Sequence, residues 1–299
     1  MQPRTAVSIF GIENLYGGDF RRVADVIRRA DELGVDQMVM TDHVVMGERT
    51  DRYPYGKFPV PTDYPWYEPM VSLAAFAAVT QRIRLSMGVL IAPLRPAVLL
   101  AKQAATLDVL SNGRLDLGVG TGWQREEFQA SGIPYAKRGE RLAEQMRVCR
   151  ALWRGERTKF RGPNLSFDDI TCRPTPVQKG GIPLWFGIAP TEANCALVAE
   201  LGAGWVPISQ DAGVIRDGVA KFRAAFQRAG RDPKELQVRA HLPPKTSSSG
   251  AFDLEETLAA GVGPAVEAGA TCIDLVAVLY CREPSDLDRA LERIARIQL

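Results

Sequence analysis

Two groups of residues in this 299-residue chain have the types and spacing to do chemistry: a glycine cluster and a histidine beside a carboxylate. Gly118, Gly120 and Gly122 end the apolar run Leu115, Leu117, Val119 and lead through Thr121 and Trp123 into a polar helix start. Glycine at such a junction lets the backbone approach an anion closely, and the first N–H groups of a helix point at it with a favourable dipole. The same residues would equally make a tight turn with no ligand. Two nucleotide fingerprints are excluded. Gly118-Val119-Gly120 opens a G-x-G-x-x-G pattern, but Trp123 holds the sixth position, the segment lies in mid-chain, and no acidic residue ends a strand about 20 residues later. No lysine followed by Ser or Thr supplies a Walker-type loop.

Thr41-Asp42-His43 contains one of only two histidines. A neutral imidazole there can bond a cofactor heteroatom or act as acid or base near neutral pH, or it can simply anchor a loop. His241 is the weaker of the pair, because Pro243 and Pro244 give it a turn-shaping role. Glycines close two further apolar runs, Ser86-Met87-Gly88-Val89 and Gly187-Ile188-Ala189-Pro190, where close ligand approach and a plain strand end are both open readings. No Ser-His-Asp order, no G-x-S-x-G and no metal-ligand spacing appears, so difficult chemistry would fall to a cofactor.

The elements that would position these residues alternate evenly. Strand patterns fall at 6–10, 37–40, 83–87, 115–119, 183–187, 204–207, 237–241 and 272–278. Helical patterns fall at 20–33, 69–79, 97–110, 137–153, 191–201, 214–229, 254–268 and 286–297. Eight βα units in one domain spanning 1–299 predict a (β/α)8 TIM barrel, with a doubly wound sheet as the alternative. In a barrel, residues after strands sit on the functional rim. A long loop at 47–66 after strand two holds Tyr53, Tyr55, Phe58, Tyr64 and Trp66, and reads as a lid or wall over an apolar or aromatic small molecule, or as packing across the barrel mouth. An irregular insertion at 155–181 precedes strand five, and 243–250 reads as a loop.

Composition narrows the class. A net charge of +2 and arginines interleaved with acids, as in Arg138-Gly139-Glu140-Arg141, suggest solvated helix faces and no nucleic-acid footprint. Five scattered cysteines without CxxC pairs point to reduced thiols in the cytoplasm and no metal site. Strand-like sequence close to the N-terminus leaves no room for a signal peptide, and no apolar run approaches the ~20 residues of a membrane span.

Taken together, Thr41-Asp42-His43, the run from Thr80 to Val89, the run from Ala101 to Arg114, and Gly118 to Trp123 with Glu126, Glu127 and Phe128 resemble the luciferase-like monooxygenase superfamily, in particular its F420-dependent oxidoreductases. The resemblance spans almost the whole chain. It implies a barrel holding F420 or FMN, with the ring against a strand-three bulge and non-proline cis peptide at Gly88 and Val89. His43 and Asp42 would lie near the ring, and Gly120, Thr121, Gly122, Trp123, Gly187 and Ile188 would hold the phosphate. His43 is the implied catalytic residue. Relatives commonly pair through outer helices, which makes a homodimer the expectation. The strand-five loop departs from the family: Gly187-Ile188-Ala189-Pro190 stands where many relatives have two glycines and a serine, and Pro190 has no N–H to offer. Three functions follow from the resemblance: F420-dependent hydride transfer, FMN-dependent monooxygenation with dioxygen, or flavin binding without turnover.

Overall fold

Parallel strands and helices alternate through residues 3–297, the part of the chain that the computed structural model describes. The strands are β1 (Arg4–Ser8), β2 (Gln37–Met40), β3 (Arg84–Met87), β4 (Leu115–Gly120), β5 (Leu184–Gly187), β6 (Gly204–Trp205), β7 (Gln237–His241) and β8 (Cys272–Val276). Their spatial order is β3-β2-β1-β8-β7-β6-β5-β4, and the pairs Leu85↔Leu115 and Ser86↔Asp116 join β3 to β4 and close the ring. The architecture is the expected (β/α)8 barrel. Every residue of β2 and β4 is buried, as befits parallel strands covered on both faces.

The covering helices are α1 (Val23–Leu33), α2 (Pro69–Val79), α3 (Ala97–Leu110), α4 (Arg138–Leu152), α5 (Glu192–Leu201), α6 (Ala212–Arg228), α7 (Leu254–Glu267) and α8 (Pro284–Ala295). Their ends follow local chemistry. Gly34 stops α1 in the left-handed region at φ 86°, a conformation that only glycine adopts without cost. Thr191 caps α5 by accepting from the Asn194 N–H, as its position predicts, and Asp211 starts α6 two residues before the apolar pattern begins.

Several segments differ from the sequence expectation, among them the strands expected at 204–207 and 272–278, which end at Trp205 and Val276. β1 ends at Ser8 rather than 10, because Gly11 at φ 79° turns the chain onto the rim. The 155–181 insertion contains an antiparallel hairpin, Thr158–Arg161 with Ser166–Ile170, held by Phe160 stacked on Phe167 at 5.7 Å. Segment 243–250 is only partly loop, since Lys245–Thr246 pairs with Phe252–Asp253.

Inside the barrel lies a polar layer. Asp116 accepts from Gln37 Nε2 and from both Arg84 Nε and Nη2, each at 2.7 Å. Arg239, fully buried, donates to Gln37 Oε1 and Ser86 Oγ at 2.8 Å and to the Met87 carbonyl at 3.0 Å. Buried polar groups are tolerable only when so paired, and here the pairing ties β2, β3, β4 and β7 together across the barrel interior. All five cysteines are free thiols, four of them buried. No helix among the described residues is long and apolar enough to cross a membrane.

Candidate functional site

A cavity of about 360 Å³ opens at the carboxyl ends of the strands. Its floor is the end of β3. There the Gly88–Val89 peptide is cis, and the chain resumes pairing only at Leu90–Ile91, which lie against Val119 and Gly120 of β4. The glycines of the neighbouring strands make room for this bulge. A Cβ on Gly118 would lie 1.9 Å from the Met87 carbonyl oxygen, one on Gly120 2.4 Å from Val89 Cγ2, and one on Gly187 2.8 Å from Val89 Cγ1. Gly118 therefore seats protein and lies outside the cavity lining, so its reading as part of an anion cradle needs correction, whereas Gly120 both makes room for Val89 and lines the cavity. The helix beyond them, Arg125–Ala130, is only six residues long and adds little dipole.

What remains of the cradle is Gly120, Thr121, Gly122 and Trp123, all of which line the cavity. Gly122 sits at φ 71°, and its carbonyl accepts from Arg138 Nε at 3.0 Å. Arg138 was expected on a solvated face. Lys137 in the left-handed conformation, φ 58°, instead turns it back toward the rim, where its guanidinium lies 4.1 Å from the Tyr135 ring centroid. Arg125 approaches the same ring at 4.8 Å. Burial raises the Tyr55 phenol, and the Arg138 charge works against that rise. Its pattern in sequence, one arginine among alternating charges, carries no sign of this role.

His43 stands in the cavity wall, buried. Its Nδ1 is 3.0 Å from Glu127 Oε2, and Glu127, itself fully buried, also accepts the Val44 N–H at 2.6 Å. With the carboxylate accepting, Nδ1 carries the proton and Nε2 is left as an acceptor. Glu127 is the partner that sequence reasoning left without a role, although its place one turn beyond the glycines is the signal that points to it.

Asp42 is differently engaged. Its carboxylate receives Arg95 through two bonds of 2.7 and 2.9 Å and the Ile91 N–H at 2.7 Å. It braces the strand-three bulge from behind, so Asp42 lines the cavity with its carboxylate turned onto protein donors. Ile188 departs from expectation: it is buried in the hydrophobic core and lies outside the cavity lining, while its carbonyl accepts from Trp205 Nε1. Gly187 does line the cavity.

The 47–66 loop forms the outer wall. Tyr53 and Phe58 pack on Trp123 at 5.1 and 5.4 Å, and Trp66 meets His43 edge-on at 4.7 Å. The loop is tied down at both ends. Gly47 exchanges hydrogen bonds with the Gln124 side chain, and the Tyr64 hydroxyl donates to buried Glu13 at 2.6 Å. Burial, then the Glu13 bond, pushes the Tyr64 phenol far above its usual range. His241, at the end of β7, completes the wall on another side.

Comparison with known proteins agrees with this geometry. An uncharacterized protein of Mycobacterium tuberculosis is 38% identical over 165 residues, 55% of this chain and 58% of its own length. A pyrimidine monooxygenase of Allorhizobium ampelinum is 34% identical over 186 residues, 58% of this chain and 49% of that protein. An F420-dependent hydroxymycolic acid dehydrogenase of M. tuberculosis is 34% identical over 185 residues, 60% of this chain and 48% of that protein. The matches thus span 48–58% of the length of these relatives. Among solved structures, an F420-dependent secondary alcohol dehydrogenase in complex with an F420-acetone adduct superposes with TM-score 0.78 at 15% identity, covering 100% of this chain and 98% of that one. A monooxygenase from Streptomyces bottropensis gives 0.76 at 22% identity, covering 98% and 97%. An FMN-bound type II Baeyer–Villiger monooxygenase component from Pseudomonas putida gives 0.73 at 15%, covering 99% and 98%. At these identities the superpositions show the fold. Residues 6–251 match the luciferase-like monooxygenase family, and the chain belongs to it.

Proposed function

We propose that this protein is an oxidoreductase that uses the deazaflavin F420 to move a hydride to or from a small apolar or aromatic substrate. One observation carries this reading: the His43 imidazole, locked by the buried Glu127 carboxylate, faces a cavity floored by the Val89 shelf and walled by aromatic rings. The lining includes no thiol and no amine among the described residues. The donor set fits a flat cofactor with an anionic tail. Gly88 and Val89 would take a ring face, and Thr121, Gly122, Trp123 and Gly187 would approach the tail through backbone, with the Arg138 guanidinium beside them. Bound there, F420 would supply hydride transfer. His43 Nε2, held as an acceptor by Glu127, would orient the ring edge or move a proton at it. Trp66, Phe58 and Trp123 would exclude water.

The F420-dependent relative at 34% identity supports the choice of cofactor. A second reading, an FMN-dependent monooxygenase, has the pyrimidine monooxygenase at the same identity in its favour. Titrating the apo protein with each cofactor, and following fluorescence quenching, separates the two. Micromolar binding of F420 is expected; micromolar FMN binding with none of F420 sinks the first reading.

A further inference from the structure

The chain has two histidines, and both line the same cavity. Each is backed by a carboxylate that is fully buried: Glu127 behind His43 at 3.0 Å, and Asp274 behind His241, where Nε2 lies 3.5 Å from Oδ2. Asp274 balances the buried charge of Arg239, but that is not all it does. The Arg239 Nη groups are committed to Gln37, Ser86 and the Met87 carbonyl, leaving only Nε, 3.4 Å from the carboxylate. Neither Asp274 oxygen has a hydrogen-bond partner among the described residues, and His241 is the other cation-forming group within 4.0 Å. A buried carboxylate left this open is costly unless a neighbouring donor answers it.

His241 also lines a second cavity of about 340 Å³ between α6 and α7, with Gln210 and Asp211 on its far side. It therefore borders both cavities, as a group that must exchange a proton would. The charged and titratable groups around it are Asp274 on β8, Arg239 on its own strand, Asp42, His43, Tyr53 and Tyr55 of the central cavity lining, and Asp211 at the start of α6. From α7 it meets only Ala260, Gly261, Pro264 and Ala265.

We propose that His241 is the substrate-side acid–base residue, with Asp274 as its positioning residue. The proposal rests on the reading of this site as a hydride-transfer site. In alcohol oxidation the O–H proton passes to neutral His241, and the O–H bonding pair becomes the second C–O bond. The carbinol hydrogen leaves with its bonding pair for the oxidised deazaflavin. Reduction of a carbonyl runs the same path backwards, the imidazolium giving its proton to oxygen.

Because there are two histidines, the NMR spectrum of the full chain has two Cε1–H signals, assignable with His43→Gln and His241→Gln. Titrating the apo protein with benzyl alcohol should displace the His241 signal, whereas ethylbenzene, which lacks the hydroxyl, should not. A His241 signal that stays in place, or that moves equally with both probes, overturns the proposal. Nitrogen shifts should show the His241 proton on Nε2 in the parent, and loss of that preference in Asp274→Asn. An unchanged tautomer removes Asp274 from the role. Should Asp274→Asn fail to fold, because Arg239 then lacks its counter-charge, the two-probe titration still decides. His241→Gln should keep F420 affinity within about twofold, since Gln lies within hydrogen-bonding size of His and the cofactor contacts lie elsewhere. Absence of F420 binding in the parent defeats the hydride-transfer reading, while the apo titration still reports on His241.

Discussion

Replacing Gly120 by alanine decides whether the β4 glycines serve a phosphate or the fold. The new Cβ would lie 2.4 Å from Val89 Cγ2, well inside contact distance. Val89 cannot rotate away, because its other methyl already rests against Gly187, where Cγ1 lies 2.8 Å from the Cβ position, and a β-branched side chain has few χ1 choices. Overpacking of this kind costs about 2–3 kcal/mol. Val89→Ala removes two half-buried methyl groups and should cost about 1 kcal/mol alone. In the double variant the clash disappears, so its loss should stay near ~1 kcal/mol instead of the 3–4 expected by addition, a coupling of about 2 kcal/mol. Gly118→Ala meets the Met87 backbone oxygen at 1.9 Å, costs more than ~3 kcal/mol, and is not rescued by Val89→Ala. The assay is urea unfolding of the apo proteins, with no cofactor present. If Gly120→Ala keeps its apo midpoint and loses only cofactor affinity, the glycine serves the ligand and the seat argument fails.

Glu127→Gln can still accept the Val44 N–H but sets an amide NH₂ against His43 Nδ1, so the proton should move to Nε2 and turnover should fall by roughly 10²–10⁴; an Nδ1-protonated His43 in the variant's nitrogen spectrum contradicts this. Arg138→Ala should weaken cofactor binding about tenfold or more while leaving the melting temperature nearly unchanged, as fluorescence titration and calorimetry will show. Asp31 caps the turn into β3. Burial works to raise its pKa, but the N–H groups of Gln81, Ile83 and Arg82 outweigh burial and hold it below the ordinary aspartate value. Its contribution is therefore complete above pH ~4 and is lost as pH falls through the depressed folded value, so the stability gap between Asp31→Asn and parent, about 1.5–3 kcal/mol at pH 7, should close in acid. Burial pushes the Cys149 and Cys272 thiols up to about 12 and Cys281 up to about 11, so native protein at pH 8 should react slowly with a disulfide reagent and release all five thiols only on unfolding.

The barrel was legible because its signals are local. Strand runs such as 37–40 and helices such as 69–79 and 97–110 carry their own periodicity and caps, and the structure places them at those bounds. What was not legible depends on neighbours across the sheet. Gly118 is explained by Met87 on the adjacent strand, and no local pattern announces that contact. The hairpin at 158–170 hid because its strands are half exposed and lack a buried alternation. Arg138 was hidden by a single left-handed residue before it, which redirects a side chain that the charge pattern assigns to solvent. His43 was readable from type and place, whereas Glu127, its lock, sat in a quoted motif with no residue nearby to give it a purpose.

The interior polar layer links the two halves of the site. Arg239 Nη2 holds the Met87 carbonyl, the last group before the bulge, and Gly118 leaves that same oxygen its space. The opposite edge of the guanidinium is the counter-charge of Asp274, which stands behind His241. One buried cation thus sets both the height of the shelf and the electrostatics behind the second histidine. A cation buried this fully cannot shift its hydrogen bonds without leaving a donor unpaired, which couples movement of the shelf to movement of Asp274. The consequence is a division of labour in which His43 and Glu127 belong to the loops after β2 and β4, while His241 and Asp274 belong to β7 and β8 and are anchored in the barrel itself. Loop variation can therefore retune the first pair freely, but the second pair can change only together with the floor on which a ring would lie.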